Sequence, residues 1–283
     1  MARMLPNQIV APARASEIAD LAEAVAGEHS PRLPVDPAGI AQTKRITISF
    51  GDYGQHTFDG LLEHLDGYFH IYCNTQRVGN RESPRARFTL AHELGHFFID
   101  EHRRSLAAGI DPHSSLCEYE SPILAEQEAD TFAANLLMPA RRFTDAARAA
   151  MPGLEGILAL AGRFGTSITA TAIRYAGADV RPCVVIKWDW HGYAWKRASA
   201  SAFAAYLRRT YQAARDIPAD CPTLKALARQ TPPECGYFHA GTTAAAWFPR
   251  IHSGEWRDVI FIEQAIPLGR YGVLTLLCPQ SGI

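Results

Sequence analysis

The segment Ala91-His92-Glu93-Leu94-Gly95-His96 constrains this chain more than any other stretch. Residues four apart on an α-helix stand one above the other on the same face, so His92 and His96 aim both imidazoles at one point if the segment is helical. Upstream, Ser83-Pro84 offers a capping hydroxyl followed by a proline at the first helical position, and the predicted helix runs to about Ile99. Neutral imidazole suits zinc, and a catalytic zinc commonly keeps three protein ligands and one open position. Glu93 lies one residue's rotation from that face, where it can take a proton from water rather than bind the ion.

An HExxH pattern arises by chance in roughly one chain in a hundred of this size, so the reading needs a third ligand. Glu126-Gln127-Glu128-Ala129-Asp130 opens a second predicted helix, Leu124 to Met138, which Pro139 ends. Glu126 is the expected ligand. Asp130 lies one turn further on the same face, where an acidic group can hold the second nitrogen of a ligating histidine. Glu128 sits about 200° further round and is expected to face away. The competing reading makes these solvated acids that complement a helix dipole. Tyr119, His113, His102 and Arg85 are candidates for stabilising an oxyanion, and His70, inside a predicted strand, is read as structural or near the substrate edge rather than as a ligand.

The remaining pattern is mixed. A helix is expected from Ala15 to about Ala26, then a proline-rich loop from Ser30 to Pro37. Strands are expected at Ile46 to Phe50, Thr57 to Leu62 and Tyr68 to Cys73, the last two joined by an Asp66-Gly67 turn. Asp100 to Pro122 reads as polar and irregular. Gly153 to Ala176 reads as two short helices around Phe164-Gly165-Thr166-Ser167, the outline of a helix-turn-helix. Beyond Arg181, strands at Cys183 to Trp188, Val259 to Ile262 and Gly272 to Leu277, with a helix from Ala202 to Ala214, suggest a separate α/β unit. The expected class is α+β, with domains at 1–139, 140–180 and 181–283.

Composition narrows the partners. A net charge of -1 gives no global case for nucleic acid or anionic membrane. No apolar run approaches the roughly 20 residues that span a bilayer, and the first residues lack the unbroken apolar stretch of a signal peptide. No membrane association is therefore expected, and the expected compartment is the cytoplasm. Cys73, Cys117, Cys183, Cys221, Cys235 and Cys278 are scattered without a CxxC pair, which reads as reduced thiols in or near cores.

Taken together, RARFTLAHELGHFFI (Arg85 to Ile99) and EQEADTFAANLLMP (Glu126 to Pro139), with Phe58-Asp59-Gly60 upstream, resemble the ImmA/IrrE family of bacterial metallo-endopeptidases over roughly residues 15 to 176. The resemblance implies a zincin-like peptidase domain, zinc held by His92, His96 and Glu126, and Glu93 as the catalytic glutamate. The family more often carries Asn where this chain has Asp130. It also implies a substrate, since family members cleave helix-turn-helix repressors and so release stress-response or mobile-element genes. The radiation-response branch is similar in layout: peptidase, helix-turn-helix, then a C-terminal domain similar to the GAF sensory fold. Strand Tyr68 to Cys73 is expected to pair with an extended substrate. Two other readings stand beside this one. In the first, residues 153–176 bind DNA directly, in a region made basic by Arg141, Arg142, Arg148, Arg163 and Arg174. In the second, the C-terminal unit senses a ligand through Trp188, Trp190, Trp195, Trp247 and Trp256, although tryptophans are more often core residues.

Overall fold

The computed structural model describes residues 10–109, 124–202, 217–229, 234, 236–248 and 259–280. The class is mixed α+β, and the chain divides into two units: Met1–Arg142 with Ala161–Ser167, and Phe143–Leu160 with Ile168–Ile283. The segment 140–180, expected as a domain of its own, contributes to both.

The first unit opens with α1 (Pro12–His29) and α2 (Pro37–Thr43), then β1 (Thr47–Gly51), β2 (Gly60–Leu65), β3 (Tyr68–Asn74) and α3 (Thr75–Val78). It continues with α4 (Pro84–Phe98), α5 (Asp100–Ala107) and α6 (Leu124–Leu137). Helix α2 was not foreseen: Pro37, read as a breaker, occupies the first helical turn, where its missing N–H is no loss. The start of α4 follows the sequence, with Ser83 Oγ accepting the Ala86 amide at 3.0 Å. The three-stranded sheet has the order β1-β3-β2, β1 parallel and β2 antiparallel to β3. Asp66 and Gly67 both adopt positive φ (51° and 82°), the backbone of the tight turn that joins β2 to β3.

This order corrects the expected substrate strand. Strand β3 is central and bonded on both sides, so its ladder groups are engaged with β1 and β2. The edges of this sheet are β1 and β2. The stretch after Asp100, expected to be irregular, instead begins with α5. It is hard to see in sequence because none of its residues is fully buried, so it carries no apolar stripe.

Helices α4 and α6 form the centre of the unit. Leu90, Leu94, Phe132 and Leu136 are buried there, and Ile18, Ala22, Val25 and Ala26 of α1 join the same core. The crossing is tight at Gly95, where an added Cβ would lie 3.1 Å from Ala129 Cα and 3.2 Å from the Ala129 carbonyl oxygen.

Helix α7 (Ala140–Ala149) and α8 (Leu154–Phe164) follow, then α9 (Ile168–Ala178), β4 (Val184–Asp189), β5 (Gly192–Ala198) and α10 (Ala200–Ala202). The chain ends with α11 (Pro222–Arg229), β6 (Phe238–Thr243), α12 (Ala244–Trp247), β7 (Ile260–Pro267) and β8 (Val273–Pro279). The five strands of the second unit form one antiparallel sheet in the order β5-β4-β8-β7-β6. Its core holds Trp188 and Trp247, and buried Glu263 accepts from the Thr223 amide and hydroxyl at 2.8 Å and from Trp247 Nε1 at 3.0 Å. Trp190 is exposed, Trp195 is half-buried, and Trp256 lies outside the described residues. Most of the expected helix from Ala202 to Ala214 also lies outside them.

Helices α8 and α9 are bent by 111° at their junction. No single helix among the described residues is long and apolar enough to cross a membrane. Cys73, Cys183, Cys221 and Cys278 are free and buried, and burial pushes the Cys221 thiol up to about 11 and Cys278 up to about 12. Cys117 and Cys235 lie outside the described residues.

The tight crossing gives a test. Gly95→Val should destabilise the protein by about 1–3 kcal/mol through overpacking against the α6 backbone. Gly27→Ala, in α1 with nothing within 4 Å of the new methyl, should be neutral or stabilising. Thermal unfolding of the two variants measures the difference, and equal melting temperatures would show that α6 can move aside.

Candidate metal centre

His92 and His96 stand one turn apart on α4, and the close crossing brings the first turn of α6 against them. His92 Nε2 lies 3.2 Å from Glu126 Oε2, His96 Nε2 lies 3.3 Å from Glu126 Oε1, and the two Nε2 atoms are 3.2 Å apart. All three side chains are buried and offer ligand atoms within 4.8 Å of one another. Asp130 Oδ1 sits 2.8 Å from His92 Nδ1, as the sequence suggested. A carboxylate only accepts, so His92 Nδ1 carries a proton toward Asp130, and Nε2 faces Glu126 and His96.

The electrostatics of the cluster call for positive charge. Burial would raise Glu126, but the facing His92 and His96 imidazoles hold its carboxyl well below the usual carboxylate range. Burial opposes a charge on His92, yet hydrogen bonds to Asp130 and Glu126 outweigh it and raise the imidazole to about 10. Glu126 Oε1 is buried with no hydrogen-bond partner among the described residues. An orphaned carboxylate oxygen facing two imidazole nitrogens is a donor set that fits a divalent metal ion.

Glu93 is wholly buried beside this cluster. Gly60, the first residue of β2, makes room for it: a Cβ there would fall 2.5 Å from Glu93 Oε1 and 2.5 Å from Thr89 Cγ2. The preceding Asp59 is also wholly buried. Arg77 Nε donates to it at 2.6 Å, and Arg85 donates through Nε at 3.2 Å and a terminal nitrogen at 2.6 Å. The block Phe58-Asp59-Gly60 thus has a physical meaning, since the arginine clamp fixes the strand end that faces Glu93. Arg85, a candidate for the oxyanion, is engaged in that clamp.

Glu128 is not part of the cluster, and it is buried: it accepts from His102 Nε2 at 3.1 Å and takes two bonds from Arg14, each at 3.1 Å. The rotation estimate was sound, but the far side of α6 is covered by α1 and α5. His102, also named for the oxyanion, lies behind His96, its Nδ1 3.2 Å from His96 Nδ1. Burial, reinforced by neighbouring His96, pushes His102 down to about 4. Arg14 was missed altogether; the only signal in sequence was the second acid, Glu128, in a helix start already supplied with one. His70 Nε2 lies 2.9 Å from Ser49 Oγ on the sheet, consistent with a structural role. His113 and Tyr119 lie outside the described residues.

Residues 78–175 match the family Peptidase_M78, described as the IrrE N-terminal-like domain. The match spans about a third of the chain and is a similarity of that segment. The match contains both sequence blocks that carried the ImmA/IrrE resemblance, and with them His92, Glu93, His96, Glu126 and Asp130. Gly60 and Arg14, which border the candidate site, precede the matched residues. A solved structure described as a Mycobacterium tuberculosis transcriptional regulator is similar over 95% of this chain and 91% of its own, with a TM-score of 0.57 and 17% identity, a likeness of fold. No curated protein matches the chain.

Metal addition tests the donor set. Zn2+ added to chelator-treated protein should raise the melting temperature in a concentration-dependent way, by an amount equivalent to about 2.7 kcal/mol at a hundredfold excess over Kd. His96→Ala and Glu126→Ala should each abolish the shift. A shift that survives both substitutions would place the ion elsewhere.

Proposed function

We propose that the chain is a zinc-dependent endopeptidase that cuts a helix-turn-helix transcriptional repressor and so releases the genes it controls. The observation that carries this reading is the convergence of His92, His96 and Glu126 next to a Glu93 for which Gly60 leaves space. Two imidazoles and one carboxylate are a ligand set for catalytic zinc, with a position left for substrate or water. Bound there, zinc supplies Lewis acidity toward water and toward the scissile carbonyl. Glu93 accepts the proton that the attacking water loses and delivers it to the leaving amine. Asp130 keeps His92 in the tautomer that presents Nε2.

An extended substrate segment would lie along β2, an edge of its sheet that begins at Gly60 beside Glu93. Edge strands take up added strands through main-chain hydrogen bonds. The choice of a repressor as substrate rests on the ImmA/IrrE resemblance, and it implies the compartment where the DNA is, the bacterial cytoplasm. The second unit, an antiparallel sheet with α9 and α11 packed on it, is carried as a GAF-like sensory domain in the same proposal.

Direct DNA binding by the α8–α9 pair is the weaker reading. The 111° bend suits a helix-turn-helix, but every residue from Ile168 to Ala176 is buried or half-buried. A recognition helix needs an exposed face of side chains to reach base edges.

The test is incubation with repressors encoded beside the gene, with zinc or with chelator. Cleavage should require the metal, and Glu93→Gln should lower it by about 10²–10⁴-fold while zinc still binds. Gly60→Ala should also keep zinc but cut kcat/KM, since Glu93 must shift to admit the methyl. Prolines placed through the cleaved segment should protect it if β2 pairs with substrate. Cleavage that persists in Glu93→Gln would remove this mechanism.

A further inference from the structure

The cysteines are scattered along the chain, but the second sheet sets two of them face to face. Strands β4 and β8 run antiparallel, and the rung that closes their ladder pairs Val184 with Leu277. One step beyond it, Cys183 stands opposite Cys278. The other side of β4 tells which kind of rung this is. The Ser199 amide donates to the Cys183 carbonyl at 3.0 Å, and the Cys183 amide donates to Ser199 Oγ at 3.1 Å. Both main-chain groups of Cys183 therefore turn toward β5 and away from β8. Cys183 and Cys278 are then a non-hydrogen-bonded pair, the rung where opposed Cα atoms come closest, about 4.5 Å apart, and both side chains leave the same face. A disulfide spans Cα separations of about 4.4–6.8 Å.

The surroundings agree with this placement. Both thiols are free and buried. Burial, and then neighbouring Cys278, push the Cys183 thiol well above its usual range. Burial pushes Cys278 up to about 12, and Arg181 opposes the rise. On α9, burial raises the Tyr175 hydroxyl, Arg181 opposes that too, and both thiols add to it. Arg181 donates to the Tyr175 hydroxyl at 3.5 Å and is fixed by the Ala147 and Arg148 carbonyls at 3.1 and 3.4 Å. Two thiols and one guanidinium thus meet beneath α9. Cys73, by contrast, is opposed by Phe50 and Gly60, the setting of a buried thiol that only fills space.

We propose that Cys183 and Cys278 form a reversible oxidation site, at which a hydroperoxide converts two facing thiols into a disulfide between β4 and β8. The Cys278 thiolate takes the terminal oxygen of the hydroperoxide as the O–O bond breaks, giving a sulfenic acid and an alcohol, or water from hydrogen peroxide. The Cys183 sulfur then attacks the oxidised sulfur, the S–S bond forms, and the sulfenic oxygen leaves as water. In sum, two thiols and one hydroperoxide give one disulfide, one alcohol and one water, with two electrons passing from sulfur to oxygen. Cys278 reacts first because Arg181 favours its thiolate and because it is the second-last residue of β8, where a strand opens most readily. Burial keeps both thiols protonated until oxidant accumulates. The directly opposed pair lies near the short limit of disulfide geometry, so the bond is strained and returns easily to thiols. Every residue in this inference belongs to the second unit, and none depends on the metal centre.

The experiment exposes the full chain to hydrogen peroxide, blocks remaining thiols with N-ethylmaleimide, digests without reductant and maps the peptides by mass spectrometry. The oxidised sample should contain a peptide pair joined through Cys183 and Cys278, and dithiothreitol should remove it. Cys221→Ala should leave the joined pair unchanged, and Cys183→Ala should abolish it. In Cys183→Ala, Cys278 should instead carry the adduct of dimedone, a trap for sulfenic acid. Cys183 and Cys278 recovered separately, or joined to other cysteines, would overturn the proposal. A dimedone adduct on Cys183 in Cys278→Ala, with none on Cys278 in Cys183→Ala, would overturn the order of the two steps. Should a variant not fold, the peptide map of the parent still decides whether the pair closes.

Discussion

Everything at the candidate site depends on how closely α4 approaches α6. Two α-helices usually pack 8–10 Å apart, at a separation set by the side chains between them. At Gly95 there is no side chain, and Ala129 lies directly opposite. The closeness lets Glu126, near the start of α6, reach imidazoles on α4 in spite of its short side chain. The energy that holds the approach comes from apolar contacts further along, including Phe98 stacked on Phe132 with ring centroids 5.7 Å apart. Packing and ligand geometry are therefore one problem here, solved by one glycine.

The price of such a site is burial of carboxylates, and three of them have different companions. Asp59 is held by two arginines, Glu128 by Arg14 and His102, and Glu126 by His92 and His96. Removing one partner of a buried ion costs far more than an exposed pair contributes, on the order of 3–5 kcal/mol against less than 1. The first unit thus concentrates its electrostatic risk around α4 and α6, and the clamps of Asp59 and Glu128 lie to either side. They hold the surroundings of the ligands while the ligands themselves stay available to an ion.

The sequence made the candidate ligands legible because each obeys a local rule. His92 and His96 share a helix face, Glu126 and Asp130 share another, and Ser83-Pro84 marks where the first helix begins. The hairpin at Asp66-Gly67 was also local. What stayed hidden is what only tertiary contact decides. Glu128 was expected to face away, and its contacts stayed hidden because helical rotation says which way a side chain points and not what covers it. His102 belongs to a helix without an apolar stripe, so neither the helix nor the contact had a periodic signature. The position of β3 in the middle of its sheet depends on parallel pairing with β1, and parallel neighbours leave no turn signal between them. In the second unit the buried tryptophans followed the ordinary core reading, whereas β5, β6 and α11 were not foreseen.

The short turn at Asp66 and Gly67 reaches further than its exposed position suggests. It fixes which residue of β2 stands opposite which residue of β3, placing Gly60 across from Cys73. Side chains alternate faces along a strand, so a slip of one residue would exchange every inward group for an outward one. Asp59 or Leu61 would then occupy the point that Gly60 leaves empty beside Glu93. The length of a surface hairpin is in this sense a gauge for the candidate site: an insertion at its tip changes nothing nearby and misaligns the one strand end that leaves space beside Glu93.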